Sequence, residues 1–186
     1  MVDGLWTLSR AGCEISRQPV APAIALRVRN ADEDSLTRAA ELLGAALPPG
    51  PGVARADNGG RLCWLAPGEW LLLDLELTPK SLVAAIAPAT CHVADVGEAY
   101  ARFRITGEQA LAVLAKGTSL DLTSLIAGGG CARTRFAQIH ALFAVAVAGE
   151  PALDLLADIT CGEHLEHWFK VATLDLTAEG NLRDGS

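Results

Sequence analysis

What is scarce in this sequence narrows its chemistry. Aromatic residues occupy 5% of 186 positions, with one Tyr and four Phe, so the 51% hydrophobic fraction rests on aliphatic side chains. Positive charge is also short. Lys and Arg number 15 against 22 acids, a formal net charge of −7. A nucleic-acid backbone is bound by a dense basic face that releases counterions. The basic residues here are scattered, so nucleic acid is not an expected partner. No apolar run approaches the ~20 residues that span a bilayer, and Met1-Val2-Asp3-Gly4 carries neither the basic region nor the apolar core of a signal segment. No membrane partner is expected. The five cysteines, Cys13, Cys63, Cys91, Cys131 and Cys161, are odd in number and contain no Cys-x-x-Cys. They fit reduced thiols better than a disulfide framework, and the expected location is cytoplasmic.

Catalytic motifs are missing as well. There is no Gly-x-Gly-x-x-Gly, no phosphate loop, no Gly-x-Ser-x-Gly elbow and no His-Glu-x-x-His. Gly128-Gly129-Gly130 is followed by no Lys-Ser/Thr and reads as a loop. Cys161, His164 and His167 lie three apart on an expected helix, but a zinc site needs further ligands and a second shell. A solvated flank beside Leu165 and Trp168 is the competing reading. Cys131 near Arg133 could be an activated thiol, with His92 or His140 as base; a buried Cys is otherwise a small hydrophobe.

What is present is a regular alternation of elements. Residues 1–22 are weakly patterned and read as an N-terminal arm, either partly ordered or lying along a partner, with a short strand possible near Leu5–Leu8. Ala23–Arg29 alternates like a strand. Asp32 caps a helix whose apolar stripe is Leu36, Ala40, Leu43 and Leu47, stopped by Pro48-Pro49-Gly50. Strands Arg61–Ala66 and Glu69–Leu75 flank Pro67-Gly68, which suits a type II turn; that turn matches hairpin twist poorly, so a slightly longer loop is expected. Thr78-Pro79 opens a second helix, and Cys91–Val96 is a further strand.

The order is β-α-β-β-α-β, the ferredoxin-like signature. A less regular second copy follows. It has strand Tyr100–Ile105, a capping box Thr106-x-x-Gln109, a helix closed by Lys116-Gly117, strands Ala132–Ile139, Ala141–Ala148 and Leu153–Ala157, and a helix opened by the capping box Thr160-x-x-Glu163. The fold class is therefore α+β, one domain over 23–176 in two halves, 23–97 and 98–176, with a flexible tail over 177–186. Trp64, Trp70 and Trp168 read as core, with an interface position open for one of them.

One surface feature has no place in this scaffold. Arg102 and Arg104 alternate on one strand, and Arg133 and Arg135 on another, so each pair shares a sheet face. They form either a solvated face or a surface that docks an acidic partner or anionic ligand.

Several segments carry a resemblance. Trp64-Leu65-Ala66-Pro67-Gly68-Glu69-Trp70-Leu71-Leu72, Arg102-Phe103-Arg104-Ile105-x-Gly107, Leu114-Ala115-Lys116-Gly117-x-Ser119-Leu120-Asp121-Leu122 and Cys131-Ala132-Arg133-Thr134-Arg135 resemble, in order, segments of the gamma subunit of heterotetrameric sarcosine oxidase. Thr118, Gly97 and Ala157–Gly162 depart from that pattern. The resemblance implies a fold similar to the folate-binding part of glycine-cleavage aminomethyltransferases. It also implies an accessory, non-catalytic subunit whose larger partners, chiefly the alpha subunit, oxidatively demethylate sarcosine with oxygen and carry FAD, FMN, NAD and tetrahydrofolate. This chain would then hold no cofactor or metal, and Arg102, Arg104, Arg133 and Arg135 are the expected partner-interface residues. The alternative is a stand-alone folate- or pterin-binding protein, with Asp95 and Glu98 as candidate pterin carboxylates.

Overall fold

A computed structural model describes residues 6–146 and 152–176. Among the described residues eleven strands and five α-helices follow in order: β1 (Thr7–Arg10), β2 (Cys13–Arg17), β3 (Ala23–Arg29), α1 (Glu33–Leu43), β4 (Val53–Arg55), β5 (Arg61–Ala66), β6 (Glu69–Leu73), α2 (Pro79–Ile86), β7 (Thr90–Asp95), β8 (Tyr100–Thr106), α3 (Ala110–Ala115), α4 (Leu122–Ala127), β9 (Cys131–Phe136), β10 (Ile139–Val145), β11 (Leu153–Asp158) and α5 (Gly162–Ala172). The strands form two antiparallel sheets, β4-β5-β6-β3-β7 and β1-β2-β8-β11-β10-β9.

Three cores define four layers. Ala39 and Leu43 of α1 and Leu82 and Ile86 of α2 pack on Ile24, Leu26, Leu62 and Leu72 of the five-stranded sheet. Val113, Leu122, Leu165 and Phe169 from α3, α4 and α5 pack on Phe103, Ile105, Phe143 and Leu155 of the six-stranded sheet. Between the two sheets lies a third core with no helical residue: Ala23, Cys63, Leu71, Leu73, Cys131, Leu142, Ala144 and Leu156. The scarce aromatics are concentrated in the second core. All four phenylalanines are there, with Trp168 4.6 Å from Phe136 and Trp6 5.9 Å from Phe103.

The strand orders superimpose as a repeat. In the first half, β3, β5, β6 and β7 stand in the ferredoxin-like order, with β4 added outside β5. In the second half, β8, β10, β11 and β2 take the same places, with β9 added outside β10. The fourth strand of the second half therefore comes from the N-terminus, not from the chain after α5. This corrects the expected arm over 1–22. Cys13 and Ile15 are buried, and Glu14–Arg17 pair with Phe103–Thr106. Alternation in Cys13-Glu14-Ile15-Ser16 is only two apolar residues long, and Gly12 interrupts it, so the pattern did not rise above its neighbours. The expected tail over 177–186 lies outside the described residues.

Local chemistry explains most boundaries. The Asp32 side chain accepts from Ser35 N at 2.7 Å, and Thr78 caps α2 through Ser81 N. α1 stops earlier than expected because Gly44 adopts φ +70. Its buried stripe is Ser35, Ala39 and Leu43 rather than one through Leu36, which is 37% exposed. The Pro67-Gly68 loop is not longer than two residues. The twist mismatch is met instead by an irregularity in β5 between Trp64 and Ala66. Neither expected capping box forms. Gln109 makes no side-chain cap. Ahead of α5, Asp158 caps a short 3-10 turn through Thr160 N. Asp121 is the N-cap of α4, a helix the sequence reading does not include, through Ser124 N at 3.0 Å.

Gly117 is required for space, not for a left-handed cap. A Cβ there would lie 2.5 Å from Phe136 Cε2, and Phe136 is fully buried. Gly117→Ala is expected to cost about 1–3 kcal/mol as overpacking, read as a lower urea midpoint with unchanged slope.

Candidate functional site

The arginine pairs singled out by sequence fall in different environments. Arg102 and Arg104 on β8 face the space between the sheets, and there they meet Asp154 of β11. Asp154 has no exposed side-chain surface. Its Oδ2 lies 2.7 Å from Arg102 Nη2 and 2.8 Å from Arg61 Nη2, and Arg104 Nε binds Oδ1. Asp74, at the end of β6, accepts from Arg102 Nη1 at 2.6 Å and Arg61 Nη2 at 2.8 Å. Three arginines and two aspartates thus tie the sheets together. Among the described residues no buried side-chain polar atom lacks a partner.

Burial alone would raise the Asp154 carboxyl. The hydrogen bond from Arg104 and the charges of Arg102, Arg61 and Arg104 outweigh it and hold the group below the usual carboxylate range. Asp74 is shifted the same way: burial opposes, and Arg102 and then Arg61 prevail. This cluster consumes the guanidinium of Arg102, whose side chain is 11% exposed, so it is an internal tie rather than a docking group. Asp154 had a readable signal. It is a lone acid in the apolar run Leu153-Asp154-Leu155-Leu156-Ala157, which implies a buried, paired charge.

Arg133 and Arg135 are different. Both are exposed on β9, the edge strand of the six-stranded sheet. Among the described residues neither makes an ion pair, and Arg135 Nη2 donates to Gln138 O at 3.0 Å. A cavity of about 350 Å³ opens beside Arg133, lined also by Tyr100, His140, Leu142, Leu156 and Asp158. The turn joining β9 to β10 holds Ala137 and Gln138 at φ 48 and 71, so a two-residue hairpin places Arg135 opposite His140.

The other candidates separate. Asp95 and Glu98 line one cleft of about 460 Å³ with Leu75, Glu76 and Thr78. One Asp95 oxygen already accepts from Gly97 N at 3.0 Å. Cys161 lies at the N-cap of α5, not within it, and His164 Nε2 is 3.0 Å from Ala137 O. Among the described residues no group of three His, Cys, Asp or Glu is arranged to hold a metal. Cys131 is buried between the sheets beside Cys63, its Sγ 3.1 Å from Trp64 O and 3.3 Å from Gly52 O. The contact with Cys131, together with burial, pushes the Cys63 thiol up, while the contact with Cys63 holds the Cys131 thiol below its usual value against burial. The Cys131 Sγ contacts are backbone oxygens and Cys63 rather than a histidine base, so burial and packing describe the pair. Trp70 is core, its Nε1 donating to Pro48 O at 2.9 Å. Among the described residues no helix is long and apolar enough to cross a membrane.

No family model and no curated protein matches this chain. Among solved structures, the regulatory subunit of aspartate kinase from Thermus thermophilus aligns at 11% identity over 88% of this chain and 99% of its own, with a TM-score of 0.39, and carries no argument. A chain of heterotetrameric sarcosine oxidase from Corynebacterium sp. U-96, solved with pyrrole 2-carboxylate, aligns at 22% identity and TM-score 0.80 over 94% of this chain and 90% of its own. The likeness runs nearly end to end in both chains, and this chain therefore has the fold of that sarcosine oxidase chain, two ferredoxin-like halves packed sheet on sheet.

Proposed function

We propose that this chain is an accessory, non-catalytic subunit of gamma type in a heterotetrameric sarcosine oxidase. The end-to-end likeness to a chain of such an enzyme carries the reading. In this role it contributes a rigid scaffold and a docking face to larger subunits, chiefly alpha. Those subunits hold FAD, FMN, NAD and tetrahydrofolate and convert sarcosine to glycine. Of the four arginines, Arg133 and Arg135 are the ones exposed enough to meet a partner, and the open cavity beside Arg133 gives a partner side chain room. The protein acts in the cytoplasm.

The purified chain alone is expected to form no hydrogen peroxide from sarcosine, whereas the complex that contains it does. Sarcosine-dependent peroxide formation by the chain alone would overturn the non-catalytic assignment.

A second reading, a stand-alone folate or pterin binder, draws on the cleft that brings Asp95 and Glu98 together. Calorimetric titration with tetrahydrofolate decides it. Silence up to millimolar ligand removes the reading, and saturable heat lost in Asp95→Asn supports it.

A further inference from the structure

The six-stranded sheet ends at β9, and the hairpin register decides which backbone groups of that strand face outward. Phe136 pairs with Ile139 across the two-residue turn, and Val145 N donates to Gly130 O at 3.1 Å. Antiparallel pairs alternate between bonded and non-bonded. The even-numbered residues Gly130, Ala132, Thr134 and Phe136 are therefore bonded to β10. The N–H and C=O groups of Arg133 and Arg135 point the other way, to the open edge. Among the described residues no other element bonds to these four groups. The nearest contact is from Thr134 Oγ1, 3.5 Å from Arg135 O.

We propose that the open edge of β9 accepts an added β-strand from a partner protein, with acidic side chains at alternate positions. This names the kind of contact made by the docking face above and rests on that reading for its setting. Strand addition supplies main-chain hydrogen bonds for affinity, and alternate side chains supply specificity. Here both come from the same two residues: Arg133 and Arg135 offer outward backbone groups and cations two residues apart on one face. An incoming strand with acids two apart places each near a guanidinium that makes no ion pair among the described residues, although Asp158 lines the cavity beside Arg133. Charge also disfavours a second copy. Two β9 edges paired antiparallel would set Arg133 and Arg135 against their equivalents, and like charges across a ladder destabilise it. The arginines thus disfavour self-association through this edge while admitting an acidic strand.

The test uses the full chain and an acetylated, amidated eight-residue peptide of alternating Glu and Thr. Saturable binding is expected, about tenfold weaker in about 0.5 M salt than in about 0.05 M, with slowed hydrogen exchange at the Arg133 and Arg135 amides. Arg133→Gln removes a charge. Arg133→Pro removes the charge and the outward N–H without breaking a bond to β10, and is expected to weaken binding about tenfold more than Arg133→Gln. Two results would overturn the proposal. One is no binding at millimolar peptide. The other is equal loss in both variants with the two amides unprotected, which marks side-chain docking alone. If Arg133→Pro fails to fold, protection at the wild-type amides decides the same question. Strand addition by the peptide in a chain that joins no larger subunit supports this edge and contradicts the accessory role. A complex that forms with both amides exchanging freely does the reverse.

Discussion

Deleting residues 1–17 is expected to abolish the folded state rather than trim an appendage. The deletion removes β1 and β2 and uncovers the edge of β8. It also removes Ile15, 1% exposed, Cys13, 3% exposed, and Trp6, whose ring lies 6.5 Å from Phe169. Burial of a large apolar side chain is worth about 1.5–3 kcal/mol, and a whole domain is stable by only about 5–15 kcal/mol. An unpaired β8 would then be a template for aggregation. The truncated chain should be insoluble, or soluble without a cooperative unfolding transition. A truncated chain that unfolds at the wild-type urea midpoint would refute the assignment of β2 as a fourth strand.

A circular permutant supplies the positive control. The ammonium of Lys170 lies 6.0 Å from the Trp6 ring, so α5 and the N-terminal segment are neighbours. Moving residues 6–18 behind α5 through a glycine linker should restore cooperative unfolding, because it turns the second half into a contiguous β-α-β-β-α-β unit.

The legible and illegible parts of this fold divide by range. Caps and turns are local chemistry, so Asp32, Thr78 and Gly68 could be placed from their neighbours alone. The β-α-β-β-α-β order of the first half is legible because its four repeat strands follow one another in the chain, whereas the three-residue β4 and the buried stripe of α1 are not. In the second half the strand order is legible, while the short α4 and the closure of the sheet are not. Its fourth strand is separated from its place in the repeat by the whole first half, and no local pattern reports that. The arginine pairs show the same limit. Alternation put Arg102 with Arg104 and Arg133 with Arg135 on sheet faces, which the structure reproduces. It could not show that Asp154 and Asp74 wait opposite the first pair, since those contacts span 50, 52 and 28 positions.

Asp154→Ala is the second substitution with a large expected effect. It leaves Arg61, whose side chain is 3% exposed, and Arg102 without their shared carboxylate. Removing one partner of a buried pair costs about 3–5 kcal/mol because the other charge stays desolvated. Asp154→Asn keeps the shape and loses the charge, and should fall between. An unfolding free energy within about 1 kcal/mol of wild type for Asp154→Ala, measured by urea titration, would refute the cluster as a tie between the sheets.

The same cluster sets a pH response. The Asp154 and Asp74 carboxyls are held below their ordinary values in the folded chain. Their contribution is therefore complete above the unfolded carboxylate range, about pH 4–5, and is lost as pH falls through and below it. Stability should drop on acidification below about pH 4, and Asp154→Asn should flatten that drop. An equal acid slope in wild type and Asp154→Asn would assign the loss to other carboxylates.

In the proposed role this chain works as one subunit among larger ones. Native mass spectrometry of material purified from its own cells through this chain tests that directly. The predicted result is a single assembly holding one copy of the chain together with larger subunits that carry flavin. The chain isolated alone, or only with further copies of itself, at the concentration where it is found in the cell, would contradict it.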